Sequence, residues 1–318
     1  MRRISSINVN RRTFTLAGSA ALLGGSNIAT AQSDSKIILG QSAAFTGPAA
    51  QLGTQFYNGA KLCFDQVNAQ GGVGKRLIEI KKLDDGYEPD RCAENTRKLL
   101  ADDAFALFGY VGTPTSIAAL PLATNKKLPD IAPFTGAMVL RDPFNKYAFH
   151  VRVSYNDETA LIVKQLTTLG LKKIAVFHQN DGYGKAGLSG VTLALDRLGL
   201  KPVALATVER NSVVVAQAVR TPTAAGPDAI VQVSAYKSCA AFIREAKKSG
   251  YGGTFYSLSF VGTQALVSSY RKSCPRRTTR RARSPGSLPK RSKPTARMFR
   301  RIFRAWRAIS LPRCLLKA

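Results

Sequence analysis

The segment KKIAVFHQNDGYGKAGLSGVTLALDRLGLKPVALATV, residues 172–208, contains the unit that decides the architecture. A short apolar run, Ile174 to His178, precedes a glycine-containing loop and a helical stretch, and a second apolar run, Val203 to Val208, follows. A strand, a helix and a strand in direct succession are typical of a βαβ unit with parallel strands.

The same alternation extends outward in both directions through residues 36–267. Its clearest helix places Phe56, Gly59, Ala60, Cys63, Phe64 and Val67 on one face. The further strand candidates are Ile37–Gln41, Leu77–Leu83, Phe105–Tyr110, Asp130–Ala132, Ala229–Val233 and Phe255–Leu258. Strict alternation predicts an α/β fold with parallel sheets covered on both sides. A break near 151–155 predicts two doubly wound lobes.

The basic charge of the chain is concentrated at its ends. The 318 residues carry a formal net charge of +28, yet residues 34–269 hold 26 basic and 19 acidic side chains. Residues 270–318 hold 17 basic side chains and no acidic one. Because the body is close to balanced, we expect no nucleic-acid partner for it.

The N-terminus has the order of a secretory signal peptide. Arg2, Arg3, Arg11 and Arg12 precede an apolar stretch that closes with Ala-Thr-Ala at 29–31. The arginine pair resembles a twin-arginine export signal, with a mitochondrial transit peptide as the alternative. We therefore predict residues 1–31 as a signal peptide cleaved after Ala31 and a periplasmic location. Residue 32 is Gln, so no lipid anchor is implied.

No metal or cofactor site is predicted. His150 and His178 are the only histidines, and neither has a ligand-spaced neighbour. Cys63, Cys92 and Cys239 are interpreted as small buried apolar residues. Cys63 and Cys92 lie on helices expected on opposite faces of one sheet, so we expect them not to pair.

One glycine pattern leaves an enzymatic alternative open. Gly182, Gly184 and Gly187 spell G-x-G-x-x-G between a strand and a helix, with Glu209 where a ribose-binding acid could stand. The alternative that this pattern leaves is an exported NAD(P)-dependent oxidoreductase. Against it, a pyrophosphate would approach past the Asp181 carboxylate. No G-x-S-x-G elbow is present, and no catalytic residue is predicted, so the chain is not expected to be an enzyme.

Loops at the carboxyl ends of the strands are the expected ligand site, because open parallel sheets bind ligands there. The loop Gly112 to Ser116 opens a helix with hydroxyls and backbone N–H groups that could hold a carboxylate. The alternative is an ordinary helix cap. Residues 234–237, which include Ala235 and Tyr236, follow a strand in the second lobe.

Six segments carry a resemblance to a known family. GTQFYNGA (53–60), VNAQGGVGKR (67–76), LDDGYEP (83–89), FGYVGTPTS (108–116), APFTGA (132–137) and HQNDGYGKAG (178–187) resemble the periplasmic substrate-binding proteins of branched-chain-amino-acid-type ABC importers. The resemblance implies two Rossmann-like lobes, 32–152 and 153–268, joined by a hinge. It also implies a small ligand bound between them and delivered to membrane permeases.

The resemblance also implies the site residues. Thr113, in the loop with Pro114 and Thr115, matches the position that holds the ligand carboxylate. The segment Phe134, Thr135 and Gly136 matches the one that meets the carboxylate and ammonium, and Tyr183 the aromatic residue of the second lobe. Leu52 stands where amino-acid binders often place an aromatic residue.

Ser259 occupies the place of the acid that neutralises an ammonium in amino-acid binders. A buried ammonium without a partner is costly. The missing acid therefore counts against an ordinary zwitterionic amino acid, and a carboxylate, an amide or an aromatic acid fits this position as well. The expected ligand is a small carboxylate, amide or amino-acid-like molecule.

Both the alternation and the resemblance stop near Val267. Residues 269–318 are rich in Arg, Pro and Ser, and we interpret them as a frame-shifted or disordered tail that leaves the second lobe incomplete. The chain could then be a non-functional truncated remnant. Alternatively the tail is a membrane-surface helix or a nucleic-acid arm. The apolar face of such a helix would hold Met298, Phe299, Ile302, Phe303, Trp306 and Ile309.

Overall fold

A computed structural model describes residues 36–272. They form two α/β lobes, each built on a sheet of parallel strands, within one compact unit. The lobe 1 sheet has the order β2-β1-β3-β4-β5 and the lobe 2 sheet the order β7-β6-β8-β9. The strands are β1 Ile37–Ala43, β2 Ile78–Asp84, β3 Ala106–Phe108, β4 Asp130–Ile131, β5 Ala148–Phe149, β6 Ile174–Gln179, β7 Ala204–Val208, β8 Ala229–Val233 and β9 Thr254–Ser257. The helices are α1 Ala50–Ala69, α2 Pro89–Ala101, α3 Thr113–Asn125, α4 Tyr155–Thr168, α5 Gly182–Asp196, α6 Ala216–Ala224, α7 Tyr236–Lys248 and α8 Thr263–Lys272.

The α/β class and the two doubly wound lobes are confirmed. All strand pairs named within the two sheets are parallel, and β6 and β8, rich in Ile, Val and Ala, are buried along their whole length. β5 was not predicted from the sequence. Two residues are too short for a periodic pattern, and the strand is fixed by pairing with β4.

The helices of lobe 1 lie on opposite faces of its sheet. Phe108 of β3 contacts Phe64 of α1, with ring centroids 5.3 Å apart. On the other face, a Cβ added at Gly40 of β1 would lie 3.1 Å from Leu99 Cδ1 of α2. The glycine therefore lets α2 approach the sheet closely.

The prediction of a buried Cys63 is wrong. Cys92 and Cys239 are buried, whereas Cys63 is exposed, and all three are free thiols. The cause is the packing of α1, whose fully buried residues are Leu52 and Gly53 in its first turns. Further along the helix, Leu62 is exposed and Phe64 only partly buried, as is expected of a helix whose packing weakens after its first turns.

Lobe 2 has a more complete apolar core. Phe177 of β6 stacks on Phe242 of α7 with ring centroids 4.0 Å apart. Helix α4 packs along α5, where Gly190 of α5 meets the Thr159 hydroxyl of α4. Ser154 begins α4, and its hydroxyl accepts a hydrogen bond from Asp157 N at 3.1 Å.

The predicted signal peptide and the residues from 273 onward lie outside the described residues. Helix α8 continues through the predicted boundary at residue 268 and ends at Lys272. Of the segment predicted as a tail, residues 269–272 are thus helical.

Candidate functional site

The loops that follow the strands of the two lobes meet each other. Phe134, after β4, packs on Phe260, after β9, with ring centroids 5.7 Å apart. Phe260 in turn packs on Tyr183, after β6, at 4.6 Å. The interface therefore lies at the carboxyl ends of both sheets, and we refer to it as the cleft.

Lobe 1 contributes two buried threonines to the cleft. The hydroxyls of Thr113 and Thr135 are hydrogen-bonded to each other at 2.7 Å. Gly112 is the cap residue of α3, and no side chain of residues 36–272 bonds the first N–H groups of that helix. Thr113 is therefore not a helix cap, and Thr115 instead donates its hydroxyl to Val111 O at 2.7 Å.

Two cleft positions suit the residue types found there, Gly136 because of close packing and Pro114 because of its place in a helix. Tyr155 N donates to Gly136 O at 2.7 Å, and a Cβ at Gly136 would lie 2.7 Å from Tyr155 Cδ1. Pro114 stands in the first turn of α3, where a backbone N–H has no intrahelical acceptor.

Two further predicted residues lie where α1 meets lobe 2. Tyr236 Oη accepts a hydrogen bond from Gln51 N at 3.3 Å. A Cβ at Gly262 would lie 3.2 Å from Leu52 Cδ2. The contacts of Tyr236 and Leu52 tie the first turn of α1 to lobe 2. Ala235, the residue before Tyr236, is the buried cap residue of α7.

Ser259 lies at the rim of the cleft, where it is exposed. Its hydroxyl donates to Glu158 Oε2 at 3.0 Å, its N–H also contacts the Glu158 carboxylate, and Arg152 Nη2 contacts its hydroxyl oxygen. Phe260, the next residue, is fully buried in the cleft. The Glu158 carboxylate thus lies beside Ser259, the position where amino-acid binders were expected to have an acid.

Sequence reasoning did not single out several cleft residues: Tyr87, Tyr155, Glu158, Gln179 and Phe260. Tyr155 and Tyr183 pack with ring centroids 5.5 Å apart, and Gln179 Nε2 donates to Tyr87 Oη at 3.4 Å. Tyr87 lies in LDDGYEP, one of the six segments that carry the family resemblance, and that resemblance was the signal that could have identified it. Phe260 could have been suspected as the apolar neighbour of Ser259.

Two tyrosine hydroxyls in the cleft have no hydrogen-bond partner among the described residues. They belong to Tyr155 and Tyr183, both of which are buried. Burial raises the pKa of both phenols. The nearby Thr135 hydroxyl partly offsets this for Tyr155, and the Glu158 carboxylate adds a smaller rise to both pKa values. Both groups therefore remain neutral O–H groups that can donate to an acceptor.

The N-terminus of α5 is occupied by a side chain of the protein. Asp181 Oδ1 accepts from Tyr183 N at 2.9 Å and from Gly184 N at 3.3 Å. A Cβ at Gly184 would collide with the backbone of Gln179, and one at Gly187 with Val233. The second and third glycines of the G-x-G-x-x-G pattern thus serve close packing, and the N–H groups of Tyr183 and Gly184, which would hold a pyrophosphate, are already bonded.

Within residues 36–272, no group of three or more His, Cys, Asp and Glu side chains is arranged to hold a metal ion. His150 Nε2 is paired with Leu140 O and His178 Nδ1 with Gln179 O. No helix in this part of the chain has the length and apolar character needed to cross a membrane.

Comparisons with known proteins agree with this geometry. A family model described as periplasmic binding protein matches residues 36–273. An amino acid binding protein of Pseudomonas aeruginosa is 25% identical over 235 residues, which cover 73% of this chain and 62% of the relative. The Leu/Ile/Val-binding protein homolog 7 of Brucella melitensis is 26% identical over 243 residues, covering 73% of this chain and 59% of the relative.

A solved structure shows the same fold. The possible leucine/isoleucine/valine-binding protein of Rhodopirellula baltica SH 1 is 34% identical, with a TM-score of 0.70 over 74% of this chain and 66% of that one. The chain spans only part of its sequence relatives, 62% of the length of the Pseudomonas protein and 59% of the Brucella protein.

Proposed function

Because the chain belongs to the periplasmic binding protein family, we propose that it is the solute-binding component of an ABC importer. In this proposal it acts in the periplasm, holds a small ligand between its two lobes and delivers it to membrane permeases. The observation that carries the proposal is the pair of buried, unpartnered hydroxyls of Tyr155 and Tyr183 in the cleft. A buried polar group without a partner costs about 1–3 kcal/mol, which a bound ligand would recover.

The donors in the cleft favour an acceptor group on the ligand. Tyr155 and Tyr183 offer neutral O–H groups from lobe 2, while Thr113 and Thr135 offer hydroxyls from lobe 1. The uncapped first turn of α3 adds backbone N–H groups and the positive end of the helix dipole. A carboxylate or an amide carbonyl would satisfy this set.

Glu158 supplies the negative charge that the ammonium of an amino acid needs and that Ser259 lacks. Its carboxylate is close enough to raise the pKa of Tyr155 and Tyr183 and is bonded to Ser259. An ammonium beside the tyrosines would therefore have a negative partner. The names of the Pseudomonas and Brucella relatives agree with an amino-acid ligand. We propose a small carboxylate, amide or amino acid.

Binding without chemistry fits the site. The described cleft contains hydroxyls, aromatic rings, an amide and, at its rim, the Glu158 carboxylate, while the family and its relatives are binding proteins rather than enzymes. A dinucleotide, the alternative suggested by residues 182–187, would have to displace Asp181 from the N-terminus of α5.

The test is a thermal-shift screen of the purified chain. Amino acids, their deaminated carboxylates and their amides are compared with NAD and NADP. A binding protein is stabilised by one of the small ligands through mass action. Thr113→Ala should weaken that effect, and Thr113→Ser, which keeps the hydroxyl, should restore it. Stabilisation by a dinucleotide together with no response to any small acid or amide would contradict the proposal.

A further inference from the structure

A cavity lies outside the cleft, on the side of the molecule where the lobes are connected. Its volume is about 500 Å³, and its walls come from the 138–141 turn of lobe 1, the 153–154 connection, α4 and α5. We call it the hinge cavity. A smaller cavity of about 330 Å³ adjoins it along α5 and shares Met138 and Asn156. None of the cleft residues proposed above lines either cavity.

Two arginines line the hinge cavity. Arg141 Nη2 donates to Arg152 O at 2.7 Å, but Arg141 Nε is buried and has no hydrogen-bond partner. Arg197, at the end of α5, also lines the cavity. In the described part of the chain, no carboxylate lies within ion-pair distance of either guanidinium. Both cations therefore retain free donors.

Among the residues that the structure describes, one carboxylate lines the cavity, and it is already hydrogen-bonded. Asp157 Oδ2 accepts the Ser154 hydroxyl at 2.6 Å as part of the start of α4. Asp157 lowers the net charge of the wall without pairing with an arginine. The wall consequently carries one excess positive charge, which favours a monoanion.

One part of the cavity wall is apolar. Met138, Val153 and Leu193 form it, and Val153 is 63% exposed, while Ser154 and Asn156 add polar groups to the wall. An apolar surface next to two unpaired guanidinium groups matches a ligand with a hydrocarbon part and one carboxylate. A strongly hydrated ion such as phosphate would gain nothing from the apolar part.

We propose that the hinge cavity binds a small amphipathic carboxylate, with its anionic end on Arg141 and Arg197 and its hydrocarbon part on Met138, Val153 and Leu193. Arginine suits this role because its planar donors can grip a carboxylate at two points. Lobe 1 supplies Met138 and Arg141, whereas lobe 2 supplies Leu193 and Arg197, so the bound carboxylate contacts both lobes. The site is separate from the cleft and does not depend on the proposed function.

Calorimetric titration of the full chain with three probes tests the proposal. Octanoate has both the charge and the chain, octanamide has the chain without the charge, and inorganic phosphate has charge without a chain. We expect binding of octanoate alone. Arg141→Gln and Arg197→Gln should each weaken it about tenfold, which is the effect of losing a charge-assisted hydrogen bond. Arg220→Gln, at an exposed position on α6, should leave it unchanged.

Three results would overturn the proposal. These are no octanoate binding, equal binding of octanamide, and octanoate binding that survives both arginine variants. Arg197→Gln is the variant least expected to disturb folding, because no hydrogen bond or ion pair of the described chain involves the Arg197 side chain. A loss of octanoate binding in this variant can therefore not be attributed to misfolding. Thr113→Ala separates the two sites: octanoate binding that is lost in this variant and kept in Arg141→Gln belongs to the cleft. That outcome would contradict the hinge site and leave the proposed function standing.

Discussion

Tyr183 shows how one side chain can be costly for folding and useful for binding. Its ring packs on Phe260 and Tyr155, while its hydroxyl is buried without a partner among the described residues. Tyr110 offers the opposite case, since its buried hydroxyl lies 3.1 Å from the Thr96 hydroxyl. The two tyrosines differ in whether the protein itself satisfies the phenol.

This difference predicts opposite effects for the same substitution. Tyr183→Phe should leave the free energy of unfolding unchanged or raise it by about 1 kcal/mol, because an unpartnered polar atom is removed. It should also weaken the cleft ligand about tenfold. Tyr110→Phe should instead lower the free energy of unfolding by about 1 kcal/mol. Urea unfolding and calorimetric titration measure both, and a clear loss of stability in Tyr183→Phe would contradict the assignment.

At the scale of elements, the loops after β2 and β7 join the lobes through an ionic contact. Arg210 Nη2 donates to Glu88 Oε2 at 2.8 Å, and Asn211 Nδ2 donates to Gly86 O at 3.0 Å. Arg210 also lies 3.6 Å from Asp181, the cap of α5. These contacts exist only while the lobes are together.

Arg210→Gln should therefore weaken ligand binding mainly by speeding release. A partly exposed ion pair contributes about 1 kcal/mol or less, so we expect an affinity loss of about threefold to fivefold. Stopped-flow measurement of ligand release gives the rate, and Arg220→Gln is the matched control. A slower association rate with unchanged release would show that Arg210 guides ligand entry instead.

Much of this element plan could be read from the sequence, because buried parallel strands give continuous apolar runs. Ala229–Val233 was predicted with its bounds correct, and β6 differs by one residue at its end. The two-residue β5 could not be predicted, since only its pairing with β4 defines it. The exposure of Cys63 was missed because periodicity shows which face of a helix is apolar and not how much of that face is covered.

The site could be predicted only in part for a related reason. Thr113, Thr135 and Tyr183 follow strands, and parallel strands bring their carboxyl ends to one edge. Whether Ser259 or Phe260 enters the cleft depends on the turn after β9, and the structure buries Phe260. Glu158 lies in the first turn of a helix, 101 residues from Ser259 in sequence, so its contact with Ser259 had no local signal.

For the molecule as a whole, two buried carboxyl groups of lobe 1 should make stability depend on pH. Burial raises the pKa of Asp130 to about 7 and that of Asp85 to about 6. Asp130 Oδ1 has no partner in the described chain, whereas Asp85 accepts from Ser42 Oγ at 2.8 Å. The unfolded chain releases these protons near pH 4.

Between about pH 4 and pH 7 the native state consequently holds more protons than the unfolded state. The free energy of unfolding should fall as the pH rises through this window. Asp130→Asn should flatten this dependence, while Asp103→Asn, at an exposed position, should not. Urea unfolding at pH 4.5, 6 and 8 measures the slopes. Parallel curves for Asp130→Asn and the unaltered chain would show that Asp130 does not titrate in this range.

The two lobes differ in how well their helices are covered, and local stability should follow. Helix α1 fully buries Leu52 and Gly53, and its Phe56 and Phe64 rest on Phe108 while staying partly exposed. Helix α5 buries residues along its whole length and packs against both α4 and the lobe 2 sheet. The free energy of opening a segment rises with the apolar surface that becomes exposed. The free energy of local opening should therefore be lower for α1 than for α5.

Hydrogen exchange followed by mass spectrometry measures this directly. Peptides covering residues 54–69 should exchange well before those covering 183–195 under native conditions. Leu62→Ala, which alters an exposed side chain of α1, should change neither rate much. Phe56→Ala should speed exchange across α1 and leave α5 unaffected, since its ring contacts Phe108 and Phe134 of lobe 1. Equal exchange in the two helices, or a matching acceleration of α5 in Phe56→Ala, would mean that both lobes open as one cooperative unit.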